Sequence, residues 1–133
     1  MKKTMSLLAA ASALLVTSVS PAFATKHTVV QDAMIAAGKA VYTHRCKACH
    51  SVDSAANSFG PSLSGVVGRP AGTLPRFAYS RAMQRAKIVW TEANLRKWIA
   101  DNEALVPGTR MRHVAITDVT EQDFLIAYLK TLN

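Results

Sequence analysis

Apolar positions recur with a helical period over four stretches of this chain, and no stretch alternates with period two for long enough to form a sheet. From Asp32, the positions Ile35, Gly38, Val41 and Tyr42 fall three and four residues apart with good helix formers between them. They predict a helix that runs into Cys46, with residues 25–31 as a loose lead-in. Ser80 caps a short helix through about Ala86. Thr91 starts another, with Glu92 at the first helical position, where a carboxylate meets the positive end of the dipole. Leu95, Trp98 and Ile99 mark its apolar face as far as about Asp101. Thr120 opens the last helix, with Glu121 and Asp123 in its first turn. Leu125, Tyr128, Leu129 and Leu132 form its inward stripe, which predicts half burial.

The intervals carry the opposite signal. Residues 51–79 hold Gly60, Pro61, Gly65, Gly68, Pro70, Gly72 and Pro75, a density of breakers that predicts one long ordered loop. A loop of that length in a small domain needs something to order it, and wrapping a flat cofactor is one way. Val106-Pro107-Gly108-Thr109-Arg110-Met111 is a second breaker-rich loop. The expected class is all-α, about four helices with long loops. Gly38 weakens its helix, which points either to close approach of another element or to an indifferent substitution.

The first residues change the domain count. Lys2 and Lys3 form a positive start, Leu7 to Val19 is apolar and uncharged, and Ser20-Pro21-Ala22-Phe23-Ala24 ends in a small-x-small cleavage pattern. A cleaved export signal over 1–24 and one domain over 25–133 are expected. An uncleaved anchor is the alternative, but the apolar run is shorter than the roughly 20 residues that span a bilayer. Removing Lys2 and Lys3 from 16 basic residues leaves 14 against 8 acidic ones, a net charge of +6. Such a surface suits nucleic acid, anionic membrane or acidic proteins. Export argues against nucleic acid, and the basic residues are scattered without a nucleic-acid motif.

The chain has two cysteines, in Cys46-Lys47-Ala48-Cys49-His50. CxxCH is the attachment signature of c-type haem. Thiols at i and i+3 lie on one side of a helical turn and can reach two vinyl groups of one porphyrin, with His50 beneath the ring as an iron ligand. A thioredoxin-like pair would need a βαβ context, and a zinc site would need further ligands at finger spacing. A plain disulfide is the third rival. An exported chain whose only cysteines form the motif leaves no thiol to be oxidised elsewhere.

A second axial ligand decides between electron transfer and small-molecule binding. Beyond residue 24 the methionines are Met34, Met83 and Met111. Met34 precedes the motif on its own helix, and Met83 suits packing. Met111 follows a Pro-Gly turn far from His50 and is the best candidate. His113, two residues on, is its rival. His27 and His44 are weaker ones.

These features resemble class I cytochrome c over nearly all of residues 32–132, in order. The likeness rests on Gly38 with Tyr42, on CKACH, and on Gly60-Pro61-Ser62-Leu63-Ser64-Gly65-Val66-Val67-Gly68-Arg69-Pro70-Ala71-Gly72. It continues through Phe77-Ala78-Tyr79-Ser80, Ile88-Val89-Trp90-Thr91, the Val106–Met111 loop and Leu125-Ile126-Ala127-Tyr128-Leu129. The resemblance implies the cytochrome c fold around one covalent haem c bound at Cys46 and Cys49. It implies His50 and Met111 as axial ligands and Gly38 and Tyr42 packed on Leu125 and Tyr128. It further implies that the Pro61 carbonyl accepts the other N–H of His50, and that Arg69, Tyr79 and Trp90 contact a buried propionate. Thr109 belongs to the ligand loop. Trp98 stands where the family usually has a tyrosine near the distal sulfur. Arg112-His113 follow the ligand where the family often has an aromatic or small residue, so His113 could compete for iron if the loop loosens at raised pH.

The expected function is that of a monomeric periplasmic electron carrier, not an enzyme. Lys39, Lys47, Arg76, Arg81, Lys97, Arg110 and Arg112 would supply a basic ring for acidic redox partners. By resemblance these are a cytochrome bc complex as donor and a terminal oxidase or reaction centre as acceptor. A dedicated haem subunit or acceptor of a periplasmic dehydrogenase is the second reading. A haem sensor or peroxidase-like protein with an open sixth site is the third.

Overall fold

The computed structural model describes residues 22–132. Most of the leader expected over 1–24 lies outside the described residues. Five helices follow in order: α1 (Ala22–Arg45), α2 (Arg81–Arg85), α3 (Glu92–Ala100), α4 (Asn102–Leu105) and α5 (Val119–Leu129). Residues 51–79 form turns and bends with no helix.

Local chemistry sets most of the boundaries. The Ser80 hydroxyl accepts from the Met83 amide at the start of α2, and the Thr91 hydroxyl accepts from the Asn94 amide at the start of α3. Two expectations need correction. The lead-in over 25–31 is part of α1, whose bounds begin at Ala22. The last helix is capped by Asp118, whose carboxylate accepts from the Glu121 amide, so Thr120 already lies within the helix. The all-α expectation of about four helices with long loops holds, and the short α4 is a fifth among the described residues. Asp101 ends α3 and caps α4, accepting from the Ala104 amide. A four-residue helix is too short to show a period.

Helices α1 and α5 cross at Gly38. A Cβ added there would run into the Phe124 carbonyl and lie 2.8 Å from the Tyr128 Cβ. The Tyr42 and Tyr128 rings tilt together with centroids 5.4 Å apart. Arg45 and Glu121 pair at 3.1 Å where the end of α1 meets the start of α5. Because Leu125, Ile126, Ala127, Tyr128 and Leu129 are all buried, α5 is covered on more than one face rather than half buried. Leu125 and Ile126, 1% and 2% exposed, each contribute roughly 1.5–3 kcal/mol by leaving water.

The long loop is ordered by pairing with the segment ahead of α3. Gly68 N donates to Trp90 O, Trp90 N donates to Arg69 O, and Ala71 N donates to Ile88 O. Pro70 and Val89 form an isolated antiparallel bridge between them. The ladder holds Arg69 and Trp90 side by side.

Candidate haem site

The CxxCH segment is a turn grown from the end of α1. Cys46 N and Lys47 N donate to Tyr42 O, and His50 N donates to Cys46 O at 2.9 Å. Tyr42 is fixed in turn, its hydroxyl donating to the His50 carbonyl at 2.6 Å. His50 is 9% exposed, and its Nδ1 lies 2.8 Å from the Pro61 carbonyl. A carbonyl can only accept, so Nδ1 carries the proton and Nε2 keeps its lone pair. Burial lowers the proton affinity of His50, the Pro61 bond opposes this, and the nearby His113 adds to the lowering. Gly60 permits the approach, since a Cβ there would stand 2.6 Å from the His50 Cε1.

His50 opens onto a cavity of about 410 Å³. Cys46, Cys49, Pro61, Arg69, Tyr79, Trp90, Trp98, Thr109 and Met111 all line it, so every site residue expected from the sequence meets in one space. Leu63, Val66, Leu95, Ile99, Leu125 and Leu129 give it apolar walls. Cys49 is exposed while Cys46 is partly buried. Burial pushes the Cys46 thiol up to about 11, with Arg45 opposing and Cys49 adding to the rise.

Several side chains are held by their own backbone contacts. Arg69 donates from its two terminal nitrogens to the carbonyls of Ser64 and Ser62, at 2.8 and 2.9 Å. The Tyr79 hydroxyl is raised by burial and lowered by Arg69 and by a hydrogen bond with the Leu74 backbone. Trp98 meets Trp90 edge to face at 5.1 Å. Thr109 is 3% exposed. Among the other candidates, Met83 is buried and lines the cavity, and His44 is exposed on α1.

The Met111 loop is fastened by Arg110 and by two residues that sequence reasoning missed, Asn102 and Glu103. Asn102 Nδ2 donates to the Met111 carbonyl at 2.7 Å. The Glu103 carboxylate accepts from Gly108 N at 2.8 Å. Arg110 donates to the Ala78 carbonyl at 3.1 Å. The first two come from α4, and nothing in the residue pattern announces contacts that depend on where that turn lands.

The donor set fits a covalently held haem. Two cysteines three residues apart face an apolar cavity beside an imidazole whose outward nitrogen is unprotonated. Among the described residues, no group of three His, Cys, Asp or Glu converges to hold a bare metal ion. These features define a monohaem c-type protein with an all-α fold. The family model for Cytochrome c matches residues 35–133, and the chain belongs to that family.

The chain is 42% identical over 120 residues to cytochrome c2 of Blastochloris viridis, covering 90% of this chain and 87% of that one. It is 44% identical over 96 residues to cytochrome c-550 of Nitrobacter winogradskyi, covering 71% and 87%. Among solved structures, cytochrome cH from Methylobacterium extorquens superposes with a TM-score of 0.68 at 42% identity, covering 73% of this chain and 97% of that one. The protein is thus an electron carrier with covalently bound haem c, and not an enzyme.

Proposed function

We propose that this chain is a periplasmic single-electron carrier whose haem iron is held by His50 and Met111. The observation that carries the reading is that both side chains line one apolar cavity, with the His50 tautomer set by Pro61. When bound, the haem supplies a one-electron couple that imidazole and thioether ligation bias toward the ferrous state. The protein's own residues do the rest. Cys46 and Cys49 tether the group, Pro61 orients His50, and the apolar walls exclude water. Tyr79 and Trp90 offer polar groups to a buried propionate, while Arg69, its terminal nitrogens engaged with Ser62 and Ser64, acts there chiefly through its charge.

Periplasmic export is supported by the leader pattern over residues 1–24. No helix among the described residues is long and apolar enough to cross a membrane. Lys39, Lys47, Arg76, Arg81, Lys97, Arg110 and Arg112 are all exposed. Phe59 lines the same cavity and is 89% exposed. An exposed apolar spot on a surface that carries these basic residues suits acidic docking surfaces and short-lived complexes. The partners proposed are a quinol-oxidising cytochrome bc complex and a terminal oxidase or photosynthetic reaction centre.

Carbon monoxide tests the reading. The reduced protein should show no spectral change under carbon monoxide at neutral pH, because the sixth position is filled. Binding would point to an open-site haem protein instead. Electron exchange with membranes from the source organism should slow as salt is added. Rates indifferent to salt would contradict the basic docking surface.

A further inference from the structure

We infer that Asn102 and Glu103 of α4 are positioning residues for the Met111 sulfur: they grip the ligand loop at Gly108 and at Met111, and so keep competing small ligands out of the sixth position. The inference rests on the His50/Met111 reading and names the residues that keep that site closed.

From Thr109 to Asp118 the chain forms neither helix nor strand. A segment without a ladder keeps its shape through individual contacts. Thr109 N donates to the Val106 carbonyl at 3.1 Å, and Met111 N reaches the Thr109 hydroxyl only at 3.4 Å. Further on, His113 Nε2 lies 3.1 Å from the Ile99 carbonyl, and Ile116 N donates to that carbonyl at 2.8 Å. The bond from Asn102 Nδ2 to the Met111 carbonyl is shorter than these, at 2.7 Å, and it acts on the ligand residue itself.

The grip is anchored in the core. Helix α3 carries the buried Leu95, Trp98 and Ile99. At its end Asp101 N donates to the Lys97 carbonyl at 2.9 Å, and the Asp101 carboxylate accepts from Ala104 N at 2.9 Å to start α4. Asn102 is therefore presented by a turn that grows from a fixed helix. One residue on, the Glu103 carboxylate accepts from Gly108 N at 2.8 Å. Gly108 has φ +81°, in the left-handed region, so Glu103 holds the loop at its tightest bend. Arg112 faces the same carboxylate at 3.7 Å, but both side chains are largely exposed and the pair carries little weight.

A small ligand can enter the sixth position only while the sulfur is away. Its apparent affinity therefore falls as the closed loop becomes more populated. Each hydrogen bond between α4 and the loop favours the closed form by a factor of roughly two to ten. At position 102 the group matters as much as the space it fills. A carbonyl only accepts, so the partner of Met111 must donate. Aspartate has the shape of asparagine but, when ionised, no donor, and it would set a carboxylate against the Met111 carbonyl oxygen. Both Asn102→Ala and Asn102→Asp thus release the loop.

The test titrates ferric holoprotein with imidazole and reads binding from loss of the far-red sulfur-to-iron band. Asn102→Ala and Asn102→Asp should each bind imidazole roughly three- to tenfold more tightly than the native protein. Gly38→Ala, which loses stability at the α1–α5 crossing, should bind it as the native protein does. That comparison separates positioning of the loop from a general loss of stability. Native affinity in either Asn102 variant, or an equal gain in Gly38→Ala, overturns the inference. Should the Asn102 variants fail to fold, Glu103→Ala decides, since it removes an exposed acceptor and leaves the turn in place. Tighter binding there supports the inference, and native affinity overturns it. A native protein that lacks the band in plain buffer instead overturns the His50/Met111 reading, so the two failures are distinct.

Discussion

The His50 imidazole and the Pro61 carbonyl, eleven residues apart, meet at 2.8 Å. This contact fixes which nitrogen of the ring is left for iron. It also explains why a glycine precedes the proline, since a side chain at position 60 would occupy the space beside the ring. Ring orientation, tautomer and backbone path are one constraint here and not three.

Gly60→Ala tests that constraint. Its Cβ would stand 2.6 Å from Cε1 and 2.8 Å from Nδ1 of His50. Either the ring turns or the loop moves, at roughly 1–3 kcal/mol. The expected outcome is a lower guanidinium midpoint together with a changed haem spectrum. A variant with native spectrum and midpoint would show that the ring is not confined by this glycine.

Gly38→Ala probes the helix crossing away from the site. In an open helix the change would be favourable by roughly 1 kcal/mol through propensity alone. Here the added methyl meets the Phe124 backbone. A backbone cannot rotate aside, so a net loss of roughly 1–3 kcal/mol is expected. Denaturant titration checks the sign, and a gain in stability would place α5 further from α1 than described.

Tyr42→Phe removes one hydroxyl and leaves the His50 carbonyl without its 2.6 Å donor. The ring contact with Tyr128 should survive. A loss of about 1–2 kcal/mol is expected, with little change in the haem spectrum. The midpoint and the spectrum, measured on one sample, separate this from a defect in ligation.

Acid should weaken the fold through His50. Burial holds its proton affinity below the ordinary value of 6.5, so the unfolded chain binds a proton that the folded one refuses. The stability contributed by His50 is complete above that value and is lost as pH falls through the depressed one. Iron bonded to the ring acts in the same direction, since metal and proton compete for it. Guanidinium midpoints should fall as the pH drops below 6.5. A rise on acidification would contradict the account.

Much of this architecture is legible in the residues because it is local. Ser80 and Thr91 announce their helices, and CxxCH announces its cofactor, each through neighbours within three or four positions. Asp118 and Thr120 are both plausible caps, and only the Asp118 carboxylate reaching Glu121 N decides between them. The turn at α4 is hidden because Asp101 serves two helices at once. The unpartnered Nδ1 of His113 is hidden for another reason. It depends on where the Ile99 carbonyl lies, fourteen residues away, and composition carries no trace of that.

The far-red absorption of the oxidised protein at neutral pH tests the central claim most directly, because that band requires sulfur on ferric iron. The account predicts the band in the native protein, its persistence in His113→Ala and its loss in Met111→Ala. Its absence from the native protein, or its survival in Met111→Ala, would contradict the assignment of His50 and Met111 as the ligand pair.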